Sequence, residues 1–238
     1  MKYLTIDASH HVIVGVCEVD TGTVREISVL RSADSRHHAE LLSPMVQQVL
    51  TEADISKPDA VIVGTGPAAF TGLRAGLVTA RTLARAWNVP LYGVSSAEVM
   101  ALAGCDAGAN LVEAVINARR KEVYSLRARA MGADDIEILT PVRILKPQEL
   151  AVELEADPAV LACADETLYS DILGERVTVD CDPAIMTRLL LSRMARVDAG
   201  ETFDFDTEPQ YLRRPDVHGG AKAQPVATGN PYGATAQN

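Results

Sequence analysis

The hydrophobic pattern of the first hundred residues changes repeatedly between short apolar segments and segments with helical spacing. Residues 12–19 are apolar on both faces, as in a strand at the centre of a sheet. Leu42, Met45, Val46 and Val49, in contrast, recur at the spacing of one helix face. The predicted elements are strands over residues 3–8, 12–19, 24–30, 60–64 and 91–94 and helices over residues 38–53, 71–87 and 96–103.

The second half of the chain repeats this order of elements. It predicts strands over residues 111–117, 123–130, 136–145, 160–163 and 177–179, a helix over residues 147–155, and a long helix that begins after Asp182 and ends at Gly200. We therefore predict an α/β fold of two related β-β-β-α-β-α subdomains, with mixed sheets flanked by helices. The predicted subdomains cover residues 1–106 and 107–215. Residues 216–238, rich in glycine and proline, predict a disordered tail.

The net charge argues against several classes of protein. The 238 residues carry 22 basic and 32 acidic side chains, a formal net charge of −10, whereas a chain that grips nucleic acid by itself needs clustered basic residues. No apolar run approaches the ~18 residues of a membrane span, and Asp7 interrupts the segment where a signal peptide would be apolar. We therefore expect a cytoplasmic protein that does not bind a membrane.

The cysteine and histidine residues are not spaced as metal ligands. The four cysteines contain no C-x-x-C pair, and the five histidines contain no H-x-x-x-H pair. These spacings are what local zinc sites and redox motifs require. We expect no metal site, and reduced thiols of the kind found in the cytoplasm.

A glycine-rich segment follows the strand predicted over residues 60–64. A phosphate-binding P-loop requires Lys-Ser or Lys-Thr after its last glycine, where this chain has Leu73 and Arg74. The letters of residues 64–69 (GTGPAA) fit a dinucleotide fingerprint, but such a fingerprint belongs in the first βαβ unit of a fold. Both nucleotide interpretations are therefore disfavoured.

Small residues recur every four positions along the helix predicted over residues 71–87. Gly72, Gly76 and Ala80 share one face, and Ala75 and Thr79 lie beside them. Glycine inside a helix costs about 0.5–1 kcal/mol relative to alanine, so a close contact has to compensate. This small-residue ridge predicts either close packing on the chain's own sheet or association with a helix of another subunit, and the pattern leaves both open.

Asp7 ends the first predicted strand, before a tight turn. Actin-like ATPases hold metal and phosphate at this place, so one hypothesis is a small-molecule kinase or ATPase that uses Asp7. The turn lacks the glycine that lets a backbone approach phosphate, and the equivalent position in the second half is the neutral Asn117. The other interpretation is that Asp7 only caps the turn, since aspartate readily bonds nearby backbone amides.

Several short motifs are spread over residues 1–215 in the order of a known family. They are LTIDAS at residues 4–9, HAELLSP at 38–44, GPAAFTGLRAG at 66–76, GVSS at 93–96, NARRKEVY at 117–124 and PQYLR at 209–213. The segment at residues 66–76 is the most specific, because it is similar to the family signature G-P-G-S-F-T-G-L-R-x-G. On these motifs the chain resembles the TsaB (YeaZ) family of tRNA threonylcarbamoyladenosine biosynthesis proteins, non-catalytic relatives of TsaD.

The resemblance implies an actin/Hsp70-type, ribonuclease H-like fold and a scaffold that stabilises TsaD. With the ATPase TsaE, such a complex transfers a threonylcarbamoyl group to the tRNA adenosine next to the anticodon. It further implies that tRNA, ATP and magnesium are bound through the partners, with no cofactor held tightly by this chain. TsaD, or a second copy of the chain, would dock on the two N-terminal helices. The implied interface residues are Leu42, Met45, Val46, Val49, Gly72, Ala75, Gly76, Thr79, Ala80 and Leu83.

Two departures from the family pattern bear on nucleotide binding. Ala68 and Ala69 replace the Gly-Ser of the signature, which removes a hydroxyl, and Asn117 replaces an aspartate. Asp7 and Ser9 are therefore expected to be the remains of a nucleotide site. The chain by itself is predicted not to be an enzyme.

Overall fold

The computed structural model describes residues 1–32, 38–68 and 70–212, which form two five-stranded sheets. The first sheet has the order β3-β2-β1-β4-β5, with β1 at its centre. Its strands are β1 (Lys2–Asp7), β2 (Ile13–Asp20), β3 (Thr23–Arg31), β4 (Ala60–Gly64) and β5 (Leu91–Val94). Because β1, β4 and β5 are parallel, their carboxyl ends meet at the same end of the sheet.

The second sheet repeats the topology of the first. Its strands are β6 (Leu111–Asn117), β7 (Val123–Met131), β8 (Asp135–Leu145), β9 (Val160–Cys163) and β10 (Val177–Thr178). The order is β8-β7-β6-β9-β10, in which β6 pairs antiparallel with β7 and parallel with β9. The central strand β6 therefore corresponds to β1.

The described residues form six helices, which cover the two sheets in three layers. They are α1 (His38–Glu52), α2 (Phe70–Trp87), α3 (Ser96–Asp106), α4 (Pro147–Ala156), α5 (Ser170–Leu173) and α6 (Pro183–Asp198). Side chains of α1 and α2 pack on the outer face of the first sheet, those of α4 and α5 pack on the outer face of the second, and α3 and α6 lie between the sheets. None of the helices that the structure describes is both long and apolar enough to cross a bilayer.

Helices α3 and α6, which lie between the sheets, each pack against the sheet of the other half. A Cβ on Gly104 of α3 would lie 2.9 Å from a methyl group of Val112 in the second sheet. A Cβ on Gly15 of the first sheet would lie 2.5 Å from Cγ of Pro183 in α6. Apolar side chains of both sheets and both helices form one continuous core cluster. The two halves therefore share a hydrophobic core, and the subdomain limits at residues 106 and 107 stay a prediction.

The predicted fold class is confirmed, an α/β protein with the duplicated topology of the actin/Hsp70 type. The main difference is α5, for which the sequence made no prediction because a single helical turn has no periodic pattern. Asp182 caps α6 as predicted, since its Oδ1 accepts hydrogen bonds from the N–H groups of Ala184 (2.9 Å) and Ile185 (3.2 Å). The tail predicted over residues 216–238 lies outside the described residues.

After α6 the chain returns to the first half as an extended segment, residues 203–212, which we call the C-terminal strap. The N–H of Gly93 donates to the carbonyl of Phe205 at 2.8 Å, and the N–H of Gln210 donates to the carbonyl of Thr65 at 2.9 Å. A Cβ on Gly93 would overlap the strap backbone, so glycine is required for this approach. The strap thereby closes over the carboxyl ends of β4 and β5.

The strap also holds the outer side of α2. Arg81 donates to the side chain (3.0 Å) and carbonyl (2.7 Å) of Thr207 and pairs with Glu208 at 2.9 Å. Arg74 donates from Nε to the hydroxyl of Tyr211 at 2.6 Å. Two turns of α2 are therefore fastened to a segment that lies far away in the sequence.

Candidate functional site

The carboxylate of Asp7, at the end of β1, is engaged by side chains of its own chain. Its Oδ1 accepts hydrogen bonds from the N–H (2.8 Å) and the hydroxyl (2.5 Å) of Ser9, and its Oδ2 accepts one from the hydroxyl of Ser96 at 2.6 Å. Burial raises the pKa of Asp7, although the hydrogen bonds from Ser9 and Ser96 act in the opposite direction. The structure therefore brings Asp7, Ser9 and Ser96 together, and the expectation that Asp7 and Ser9 are the remains of a nucleotide site stays a prediction.

Two glycines, one at the end of β4 and one just after it, explain how the Asp7 carboxylate can lie so close to the chain around it. A Cβ on Gly64 would overlap Oδ2 of Asp7, so glycine is what allows the carboxylate to lie against β4. Gly66 has a φ of +91°, a conformation that glycine adopts readily, and its N–H donates to the Ser96 hydroxyl at 3.2 Å. The hydroxyl of Ser96 thus connects Asp7 with the glycine-rich loop. In this structure the glycines have a packing role.

The equivalent turn of the second half lies between β6 and β7. Oδ1 of Asn117 accepts a hydrogen bond from the N–H of Arg119 at 2.8 Å, so this side chain caps its own turn. His10 and Asn117 line one small cavity, which places the β1–β2 turn beside the β6–β7 turn. Within residues 1–32, 38–68 and 70–212, no group of three or more histidine, cysteine or acidic side chains could hold a metal ion.

Most of the ten residues expected at a partner interface are buried inside this chain. Leu42, Val49 and Ala80 are completely inaccessible. The other buried members are Met45, Val46, Gly72 and Gly76. The apolar side chains of this set pack in the core cluster formed with the chain's own first sheet, and a role of these seven residues at a partner interface stays a prediction. The remaining three, Ala75, Thr79 and Leu83, keep part of their surface accessible.

The small-residue ridge of α2 packs against the end of β1. A Cβ on Gly76 would lie 3.1 Å from Cβ of Ala8 and 3.9 Å from a methyl group of Ile6. Such a distance leaves no room for a helix of another subunit at this position. Of the two explanations that the sequence left open, close packing on the chain's own sheet accounts for Gly76.

The outward side of α2 carries a surface that the sequence reasoning missed. Val78 is 60% exposed and has half-buried Ala75 and Thr79 as neighbours on the helix. The helix contains three arginines and no acidic residue, in a chain of net charge −10. The sequence feature that could have indicated this surface is Val78, an apolar β-branched residue in the middle of an otherwise polar side of the helix.

Comparison with known proteins agrees with this architecture. The family model of TsaD, tRNA N6-adenosine threonylcarbamoyltransferase, matches residues 29–180. An uncharacterised protein of Mycobacterium tuberculosis strain H37Rv is 45% identical over 188 residues, which are 78% of this chain and 80% of that protein. The tRNA threonylcarbamoyladenosine biosynthesis protein TsaB of Bacillus subtilis is 26% identical over 184 residues, 74% of this chain and 78% of that protein.

The structural comparison points the same way. A solved structure of YeaZ from Pseudomonas aeruginosa has a TM-score of 0.71 and 26% sequence identity, and the match covers 89% of this chain and 99% of that one. The family model spans more than half of the chain. The chain therefore belongs to the TsaD family, tRNA N6-adenosine threonylcarbamoyltransferase, and within it is a protein of the TsaB (YeaZ) type.

Proposed function

We propose that this TsaB-type chain is a non-catalytic scaffold subunit of the bacterial complex that forms threonylcarbamoyladenosine in tRNA. It stabilises TsaD and works with the ATPase TsaE, while these partners bind the tRNA, ATP and magnesium used in threonylcarbamoyl transfer. The names of the TsaB relatives support the reaction. The single observation that supports the scaffold role is the exposure of Val78, an apolar residue on the outward side of α2. The complex would act in the cytoplasm, on the adenosine next to the anticodon.

The geometry of Asp7 supports a chain that does not catalyse phosphoryl transfer. Such a reaction needs carboxylate oxygens directed at a metal ion, whereas those of Asp7 accept hydrogen bonds from Ser9 and Ser96. The opposite turn supplies the neutral Asn117. Calorimetric titration of the isolated chain with Mg-ATP should therefore show no binding heat. Saturable heat that Asp7→Asn removes would favour the kinase hypothesis instead.

The docking surface that we propose for TsaD is the outer α2 surface, defined by Arg74, Ala75, Val78, Thr79 and Thr82. All five side chains are at least partly accessible, and the small ones around Val78 let a partner helix come close. Full burial of a valine contributes roughly 1.5–3 kcal/mol, and the positive charge of Arg74 favours an acidic partner surface. In the absence of TsaD, a second copy of the chain would occupy the same surface.

Val78→Arg tests this surface, and Val152→Arg is its matched control. Val152 is 65% exposed on α4, in the other half of the molecule. Both variants should fold and unfold like the parent, because both positions face solvent. Only Val78→Arg should weaken co-purification with TsaD, by about tenfold or more, as expected for the central residue of an interface. Equal co-purification of the two variants would place the interface elsewhere.

A further inference from the structure

The turn between β6 and β7 has an unusual backbone. Arg119, Arg120 and Lys121 have φ values of +62°, +52° and +61°, in the left-handed region that residues with side chains seldom occupy, and then usually singly. Hydrogen bonds nevertheless hold the turn in this shape. The N–H of Arg119 donates to Asn117 at 2.8 Å, and two backbone bonds of 3.1 and 3.0 Å join Ala118 and Arg119 to Glu122. The backbone of three successive basic residues is thus held in this conformation.

These three side chains are exposed and basic. Other arginines of the chain are used internally, for example Arg188, which pairs with Asp106 at 2.6 Å. For Arg119 and Lys121, in contrast, the part of the chain that the structure describes supplies no carboxylate within ion-pair distance. The turn therefore exposes the positive charges of Arg119 and Lys121 to solvent. The next residue in the sequence, the acidic Glu122, is half-buried.

The net charge of the whole chain does not cancel this local charge. Salt screens charges over about 8 Å at physiological ionic strength, so distant carboxylates have little effect at the turn. The exposed residues of the turn, Arg119–Lys121 in sequence, are all charged. A protein interface has a buried apolar centre, which these residues cannot provide. Phosphate groups, in contrast, are bound by exposed basic side chains without apolar contacts.

We propose that the β6–β7 turn contacts the phosphate backbone of tRNA when the chain is in its complex with TsaD. This inference rests on the proposed function, which brings tRNA to the complex. The contact is expected to be independent of base sequence, because phosphates position an RNA without specifying it. It is also too small to hold tRNA without the partners, in agreement with the acidic character of the chain.

The test removes the three charges and keeps the backbone. In the variant Arg119→Asn, Arg120→Gly, Lys121→Asn, the new residues are those that best tolerate a positive φ. A control variant, Arg25→Gln, Lys57→Gln, Lys146→Gln, removes the same number of exposed charges elsewhere. Each chain is assembled with TsaD and TsaE, assembly is followed by size-exclusion chromatography, and binding of an unmodified tRNA transcript is measured by fluorescence anisotropy at several salt concentrations.

The turn variant should assemble normally and bind tRNA about tenfold more weakly near physiological salt. Its plot of log affinity against log salt should be shallower by about 2, since each phosphate contact contributes roughly 0.7–0.9 to the slope. The control should match the parent.

Equal affinities and slopes for all three complexes would overturn the tRNA contact and leave the scaffold role intact. Loss of assembly in the turn variant alone would overturn it in favour of a protein contact. Failure of the parent chain to assemble would overturn the proposed function and this inference with it.

Discussion

The substitution Gly76→Leu tests whether the small-residue ridge of α2 belongs to the core of this chain. At this position a Cβ already lies 3.1 Å from Cβ of Ala8, so even alanine needs a shift of a few tenths of an ångström. Leucine adds three further carbons in the space between α2 and β1, where Ala8 and Ile6 are 3% and 0% exposed. Gly76 itself is buried, so the added atoms have to displace these neighbours.

The magnitude follows from two opposing effects. Replacing a glycine inside a helix stabilises the folded state by about 1 kcal/mol, whereas overpacking costs typically 1–3 kcal/mol and occasionally more. With the cost at the upper end of this range, Gly76→Leu should lower the free energy of unfolding by about 2 kcal/mol, while the two effects nearly cancel in Gly76→Ala. Urea unfolding followed by circular dichroism measures both values.

The control for this experiment is Ala86→Leu, at an exposed position of the same helix. A surface substitution of this kind should change the free energy of unfolding by no more than about 0.5 kcal/mol. If Gly76→Leu were as stable as Ala86→Leu and had lost only its association with TsaD, the ridge would be an interface. The packing explanation would then be refuted.

Three further predictions concern other buried or capping side chains. Asp7→Ala should destabilise the fold by about 2–3 kcal/mol in chemical denaturation, because the donors on Ser9 and Ser96 lose their acceptor; an unchanged midpoint would contradict these contacts. Burial raises the pKa of Glu113 in the folded protein. The stabilisation that comes from its protonation is therefore fully present below the pKa of Glu113 in the unfolded chain, and it is lost as the pH rises through the pKa in the folded protein. Glu113→Gln should therefore become more stable relative to the parent as the pH rises above about 4.3, the ordinary pKa of glutamate, and a constant difference would show that Glu113 does not titrate in this way. Asp182→Ala should cost about 1–2 kcal/mol through loss of the α6 cap, and more than Asp180→Ala, which removes only a partly exposed ion pair with Arg31.

The sequence predicts those elements whose pattern is local. The five residues of β4 are apolar on both faces because both faces are buried, and the predicted bounds, residues 60–64, are those of the structure. Strands β6 and β9 likewise have the predicted bounds. Asp182 followed by Pro183 marks the start of α6, since the carboxylate accepts from the first free N–H groups and proline tolerates the first helical position.

What the pattern could not predict is which surface covers an apolar face. The spacing of Leu42 and Val49 identifies the apolar side of α1 but is the same whether a partner or the chain's own sheet lies on it. The close approach of Gly76 to Ala8 is a distance between two elements, which helix periodicity does not contain. The bond from Arg74 to Tyr211 joins residues 137 positions apart. For the same reason the strap escaped prediction.

The C-terminal strap makes the surface of α2 depend on the last part of the described chain to be synthesised. While a ribosome is still synthesising α6, helix α2 has already left the ribosome. Thr207 and Tyr211 have not yet been synthesised, so Arg81 and Arg74 cannot form their hydrogen bonds to them. A chain broken off before residue 203 would keep every strand and helix described above. It would still lack the finished outer side of α2. A partner that binds this side of α2 would therefore bind chains that contain the strap in preference to chains that lack it.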